Sequence, residues 1–171
     1  LSVYCAFHLG EKIVAIGTTM DKYGINQNPD FFTVENEKIH LLKKWGEAVG
    51  STVGTDVRLG GGQPVVRDGE YLYFSTTLDH SSYIYRIDNE GNIESVIGDE
   101  GSVDCFSVKE GKLMFIGMRD QKLQEVYNEE EEECLTSFND KVLEGKYVAV
   151  PEEIEFENDG VQLTGWVIKP Y

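Results

Sequence analysis

His8, His40 and His80 are the side chains best suited to metal or proton chemistry, and each stands alone on a strand end or turn. No His-x-His or HExxH spacing brings two imidazoles onto one ion. Cys5, Cys105 and Cys134 are odd in number and lack CxxC spacing, which argues against a zinc site or a disulfide framework. They read as reduced, buried or half-buried thiols of a cytoplasmic protein. The run Glu129 to Glu133 could attract a cation. Like charges in sequence repel into a solvated loop, however, and the glycine-bent ligand spacing of a calcium loop is missing. Asp88-Asn89-Glu90-Gly91-Asn92 supplies oxygens and a glycine that a hairpin turn explains without an ion. Neither a metal nor a cofactor is expected.

The best candidates for contact with a substrate or another domain are Asp56, Arg58, Gly60, Gly61 and Gly62. They lie in the longest segment without a hairpin pattern, residues 44–62, and loops of that length are functional more often than short ones. A surface ion pair of small energetic weight is the favoured reading of Asp56 and Arg58. Trp45 and Trp166 read as packing anchors because an indole buries so much area.

The elements that position these residues follow from a repeat. SVYCAFHLGEKIVAIGT, GQPVVRDGEYLYFSTT and SVDCFSVKEGKLMFIGM each give a strand, a turn closing on glycine (Gly10, Gly69, Gly111) and a second apolar strand. A second hairpin follows each. DFFTV and KIHLL flank Glu35-Asn36-Glu37, YIYRI and IESVI flank the Asp88–Asn92 turn, and KLQEVY and CLTSF flank the glutamate run. The expected fold is all-β: a partial β-propeller of about three four-stranded antiparallel blades (1–43, 63–98 and 102–138, with a long loop at 44–62) plus a C-terminal β-hairpin. Three blades do not close a ring, so the outward faces of the first and third should be apolar and need covering, which predicts a homodimer or a longer polypeptide. The 171 residues carry a net charge of −16, which repels a phosphate backbone, and no stretch is apolar enough to span a bilayer as a helix.

After Val150 the pattern changes. Pro151 marks a boundary, and PEEIEF and VQLTGWVIK flank Asn158-Asp159-Gly160, a strong hairpin signal. Together DGEYLYFSTT, YIYRID, ECLTSFND and PEEIEF-NDG-GWVIKP resemble the prolyl oligopeptidase (S9) family of serine peptidases, especially its dipeptidyl aminopeptidase and acylaminoacyl-peptidase branch. The resemblance implies that residues 139–171 are a linker and the start of an α/β-hydrolase domain. It also implies that the propeller caps a Ser-His-Asp site and restricts entry to short peptides. The nucleophile elbow G-x-S-x-G of such a domain is absent, since Gly50-Ser51-Thr52-Val53-Gly54 puts its serine one place early, so no catalytic residue carries over. The expected function is that of a non-catalytic propeller portion of a serine peptidase. The competing reading is a stand-alone propeller-like interaction module, which the absence of WD and kelch signatures disfavours.

Overall fold

The computed structural model describes residues 1–53, 62–130 and 133–170. Its first blade is an antiparallel sheet of β1 (Ser2–Leu9), β2 (Lys12–Thr18), β3 (Asp30–Glu35) and β4 (Lys38–Lys43), paired in chain order. The second has the same order in β5 (Val65–Asp68), β6 (Tyr71–Leu78), β7 (Ser81–Ile87) and β8 (Ile93–Ile97). The third contains β9 (Cys105–Lys109), β10 (Lys112–Gly117) and β11 (Glu125–Asn128).

The middle blade explains why β6 reads YLYF with no polar alternation. Leu72 and Phe74 point into a cluster with Leu9, Val14, Ile16 and Phe31 of blade one, whereas Tyr73 points into one with Phe106, Leu113 and Phe115 of blade three. A strand buried on both faces has no solvent side on which to place polar residues. Each large side chain buried in these clusters contributes about 1.5–3 kcal/mol, so inter-blade packing outweighs any single hydrogen bond.

The turns show why the repeat is imperfect. Glycine leads the first-hairpin turn in blades one and two, at Gly10 (φ 60°) and Gly69 (φ 55°). In blade three the leading residue is Glu110 (φ 54°) and Gly111 (φ 77°) follows, so the three glycines are not structurally equivalent. A non-glycine residue in the left-handed region costs about 1 kcal/mol. The Asp68 carboxylate of the neighbouring blade offsets it by accepting from Glu110 N at 3.0 Å and Gly111 N at 2.7 Å. Gly17 and Gly117, near the ends of β2 and β10, have a different cause. A β-carbon there would run into the carbonyls of Ser2 and Ser102, at the start of and just before the strand paired with each.

Two features depart from expectation. The third sheet is three-stranded among the described residues, because CLTSF supplies only an isolated bridge from Cys134 to Tyr127. The glutamate run just before it works against a longer strand, since aligning like charges along a sheet edge is unfavourable. The outward faces also differ. Blade one presents Ala6, Ile13, Val34, Ile39 and Leu41, an apolar face as expected. Blade three presents Met114, Ile116 and Val126 beside Ser107, Lys109, Lys112 and Asn128, a mixed face.

After the short helix α1 (Asp140–Leu143), strands β12 (Glu152–Asn158) and β13 (Val161–Val167) form a separate two-stranded sheet, turned by Asp159 and Gly160 at positive φ. Nearly every residue of this hairpin is exposed, including Ile154, Phe156, Leu163 and Trp166. Trp166 is therefore no packing anchor within this chain, whereas Trp45 packs against Phe74 and Tyr85 with centroids 5.3 Å away in each case.

Candidate functional site

Antiparallel order sorts the loops onto two ends of the blades. One end collects the tight turns at Gly10, Asn36, Gly69, Asp88–Asn92 and Glu110, tied between blades by Asp68 and by Lys12 Nζ, which donates to the Asn89 carbonyl at 3.2 Å. The other end collects every second-to-third-strand loop and every blade-to-blade connection. Both long insertions, residues 19–29 and 44–63, emerge there, and so does the hairpin, making this end the candidate functional face.

The 44–63 segment lies along blade two as far as it is described. Gly50 N donates to the Ser75 carbonyl at 2.8 Å, Thr76 Oγ1 to the Ala48 carbonyl at 2.7 Å, and Thr52 N to Thr77 Oγ1 at 2.8 Å. Of the five candidates in this segment, Asp56, Arg58, Gly60 and Gly61 lie outside the described residues. Gly62 is described, with φ 93° and a backbone so close to Cys105 that a β-carbon would collide with the cysteine's own. Its demonstrated role is thus close packing against blade three. Burial pushes the Cys105 thiol above its ordinary pKa, and the Asp104 charge adds to the shift, so it is a poor nucleophile.

Residues 19–29 form an arm braced by one side chain. Gln27 Oε1 accepts from Lys22 N at 2.9 Å and Tyr23 N at 3.3 Å, while its Nε2 donates to Thr19 Oγ1 at 3.1 Å. Thr19 Oγ1 in turn donates to Asp21 at 2.8 Å, and these contacts of Thr19 and Gln27 hold the Asp21 carboxyl below its ordinary pKa. The base is fixed by Asn28 Nδ2 donating to the Gly46 carbonyl at 2.9 Å and by Asp30 accepting from Trp45 N at 2.7 Å. At the tip Tyr23 and Ile25 are 61% and 82% exposed. Between arm and blade lies a cleft of about 780 Å³ lined by Lys22, Tyr23, Asn26, Phe32, Leu41 and Lys44.

The hairpin meets this face at His80, in the β6–β7 turn. Its imidazole lies edge-on to the Trp166 indole at 5.1 Å, and its Nε2 is 3.6 Å from the Glu100 carboxylate. A second cleft, of about 490 Å³, opens between them, with Gln121, Pro151, Glu153 and Ile168 on its walls. His8 and His40 are exposed elsewhere on the first blade.

The connection to the hairpin begins at a buried carboxylate that sequence reasoning missed. Glu125, 2% exposed, accepts from Thr136 Oγ1, from Phe138 N at 3.0 Å and from Asn139 N at 2.8 Å. Desolvation pushes its pKa up, and the hydrogen bonds from Thr136, Asn139 and Phe138 outweigh that, leaving it below the ordinary range. The available signal was a charged residue on the inward-facing side of a strand, opposite Gly117, where no side chain competes for space.

No family model matches the chain. It is 29% identical over 110 residues to the uncharacterized peptidase YuxL of Bacillus subtilis, covering 61% of the chain and 17% of that protein. In fold it is similar to the acylaminoacyl peptidase of Pyrococcus horikoshii, with a TM-score of 0.71, 18% identity, and coverage of 95% of this chain and 24% of that one. It is also similar to the β-propeller domain of the trilobed protease from Pyrococcus furiosus, with a TM-score of 0.58, 19% identity, and coverage of 81% and 41%. The chain thus spans a minor share of each of these chains.

Proposed function

Taking the chain as a propeller region of the S9 peptidase type, we propose that its insertion-bearing face caps a hydrolase domain reached through the hairpin, and admits only short peptides to it. The observation that carries this is topological. Both long insertions emerge at one end of the blades, where the Glu125-clamped connection leads to a hairpin whose exposed apolar stripe is Ile154, Phe156, Val161 and Leu163, with Trp166 on its other face. An apolar stripe on a two-stranded sheet needs a further layer against it, and a hydrolase sheet is the partner that the sequence likeness supplies. The similarity to an acylaminoacyl peptidase supports an exopeptidase of the acylaminoacyl or dipeptidyl type acting on short peptides. Three free thiols suit a reducing, cytoplasmic setting.

The test is to express the chain with its reading frame extended downstream. Hydrolysis of chromogenic aminoacyl or dipeptidyl substrates, blocked by a serine-directed inhibitor and slow on folded proteins, is the expected result. A frame that yields no G-x-S-x-G followed by Asp and His overturns the proposal.

The apolar outward face of blade one favours a second association, a homodimer of this chain through that face. Light scattering is expected to give twice the chain mass. A monomer that melts cooperatively excludes it.

A further inference from the structure

A small cavity lies in the seam between blades two and three, on neither outward face and away from the hairpin. Its volume is about 200 Å³, and Ser51, Pro64, Val103, Asp104, Cys105 and Phe106 line it. Exposed Gly62 and Gln63 form its rim, at the insertion-bearing end of the blades. Asp104 Oδ2 is closed off from solvent and has no hydrogen-bond partner among the described residues. The residue as a whole is only half-buried, so the carboxylate meets the cavity through its other oxygen. No lysine, arginine or histidine stands among the described lining residues, and burial pushes the pKa of the Cys105 thiol up and keeps it neutral. One negative charge, stripped of water on one side and without a counter-charge, therefore faces the cavity. The walls are set in advance. Asp104 N donates to the Ile116 carbonyl at 2.8 Å, Gly50 N to the Ser75 carbonyl at 2.8 Å and Ser75 N to the Pro64 carbonyl at 3.0 Å, so little ordering entropy remains to be lost on binding.

We propose that this cavity takes the ammonium end of a lysine side chain carried by a peptide, held on the accessible oxygen of Asp104, with the aliphatic stem running out past Phe106 and Pro64. The volume lies below the about 300–1,000 Å³ of sites that enclose a whole small ligand, and it suits a single side chain. Carboxylate geometry then decides between the two basic side chains. A guanidinium binds best with both carboxylate oxygens in its fork, whereas an ammonium is a point charge that needs one, and Asp104 has one to offer. The net charge of −16 draws cationic peptides toward the chain at long range. The assignment is independent of the peptidase reading, since it requires only the 171-residue chain and no catalysis.

Three probes test it on that chain by two-dimensional NMR titration: acetyl-Gly-Lys-Gly-amide, and the same peptide with norleucine or with arginine in place of lysine. The lysine peptide is expected to shift the amides of Ser51, Asp104 and Cys105. It should bind about tenfold more tightly than the norleucine peptide and about threefold more tightly than the arginine peptide. D104N keeps the backbone bond to Ile116, so the blades stay folded, and it should erase the preference for lysine over norleucine. Q63K, at the exposed rim, sets a fixed ammonium at the mouth and should weaken the lysine peptide about threefold while leaving the norleucine peptide unchanged. Equal binding of the lysine and norleucine peptides, arginine binding as tightly as lysine, shifts confined to other residues, a folded D104N chain that keeps the preference, or no binding at millimolar concentration would each overturn the assignment.

Discussion

Replacing Glu125 with alanine isolates the energetics of the connection between blade three and the hairpin. The carboxylate accepts three bonds, from Thr136 Oγ1, Phe138 N and Asn139 N. Charge-assisted bonds contribute about 1.5–3 kcal/mol each, about 4.5–9 kcal/mol for the set. Ordering Thr136 to Asn139 costs about 1–2 kcal/mol per residue, about 4–8 kcal/mol in all. Phe138 is 77% exposed, so apolar burial adds little. The net hold is then about 0.5–1 kcal/mol, and E125A should lower the unfolding free energy in urea by about that much. Native-state hydrogen exchange at Phe138 and Asn139 should accelerate about twofold to fivefold, while exchange in β6 and β10 quickens only as far as global stability drops. The pH dependence follows from the sign of the shift. The folded carboxyl lies below its unfolded value, so its contribution is fully present above the ordinary glutamate range and is lost as pH falls through the folded pKa. E125Q should remove this acid dependence and sit between wild type and E125A in stability. Unchanged exchange at Phe138 and Asn139 in a folded E125A chain would refute the clamp.

Asp68→Ala removes the acceptor shared by Glu110 N and Gly111 N and is expected to cost about 1–2 kcal/mol in urea unfolding. Combined with Glu110→Gly, which relieves the positive φ that Asp68 supports, the loss should shrink by about 1 kcal/mol. Gly117→Ala forces a β-carbon onto the Ser102 carbonyl, and a fall in thermal midpoint larger than that of the exposed control Ser107→Ala is expected in a calorimetric scan. Ending the chain at Pro151 deletes an almost fully exposed sheet, so the melting of the blades should stay within about 0.5 kcal/mol of the longer chain, whereas a collapsed melt would mean that the His80–Trp166 contact carries more than it shows.

The all-β fold and its strand order were legible because the signals are local. Alternation and turn residues place β1 to β8 within a residue or two, and Asn-Asp-Gly places the last hairpin. What escaped was set by contacts between blades. Gly111 looks like the partner of Gly10 and Gly69 in sequence, yet Glu110 leads the turn, with the carboxylate of Asp68 arriving from the neighbouring blade to support it. The fourth strand of blade three looked like CLTSF, yet the residue that organises that stretch is Glu125, some ten positions earlier. For the candidate site, the importance of long insertions was readable and the choice of residues was not. Length drew attention to Asp56 and its neighbours, whereas the described geometry of the face is built by Gln27, Asn28 and Asp30, ordinary turn formers whose partners lie across the loop.

The contrast between the two outward faces bears on how far copies of this chain can assemble. Head-to-tail addition would set a face that carries Lys109, Lys112 and Asn128 against the apolar face of blade one, at the cost of dehydrating those groups. Growth into open-ended fibres is thereby disfavoured, because such a module has an adhesive front and a back broken up by charged and polar groups. Contact through the front alone uses up the adhesive surface once two copies meet, so the same asymmetry that leaves the sheet uncovered also limits what an uncovered sheet can do.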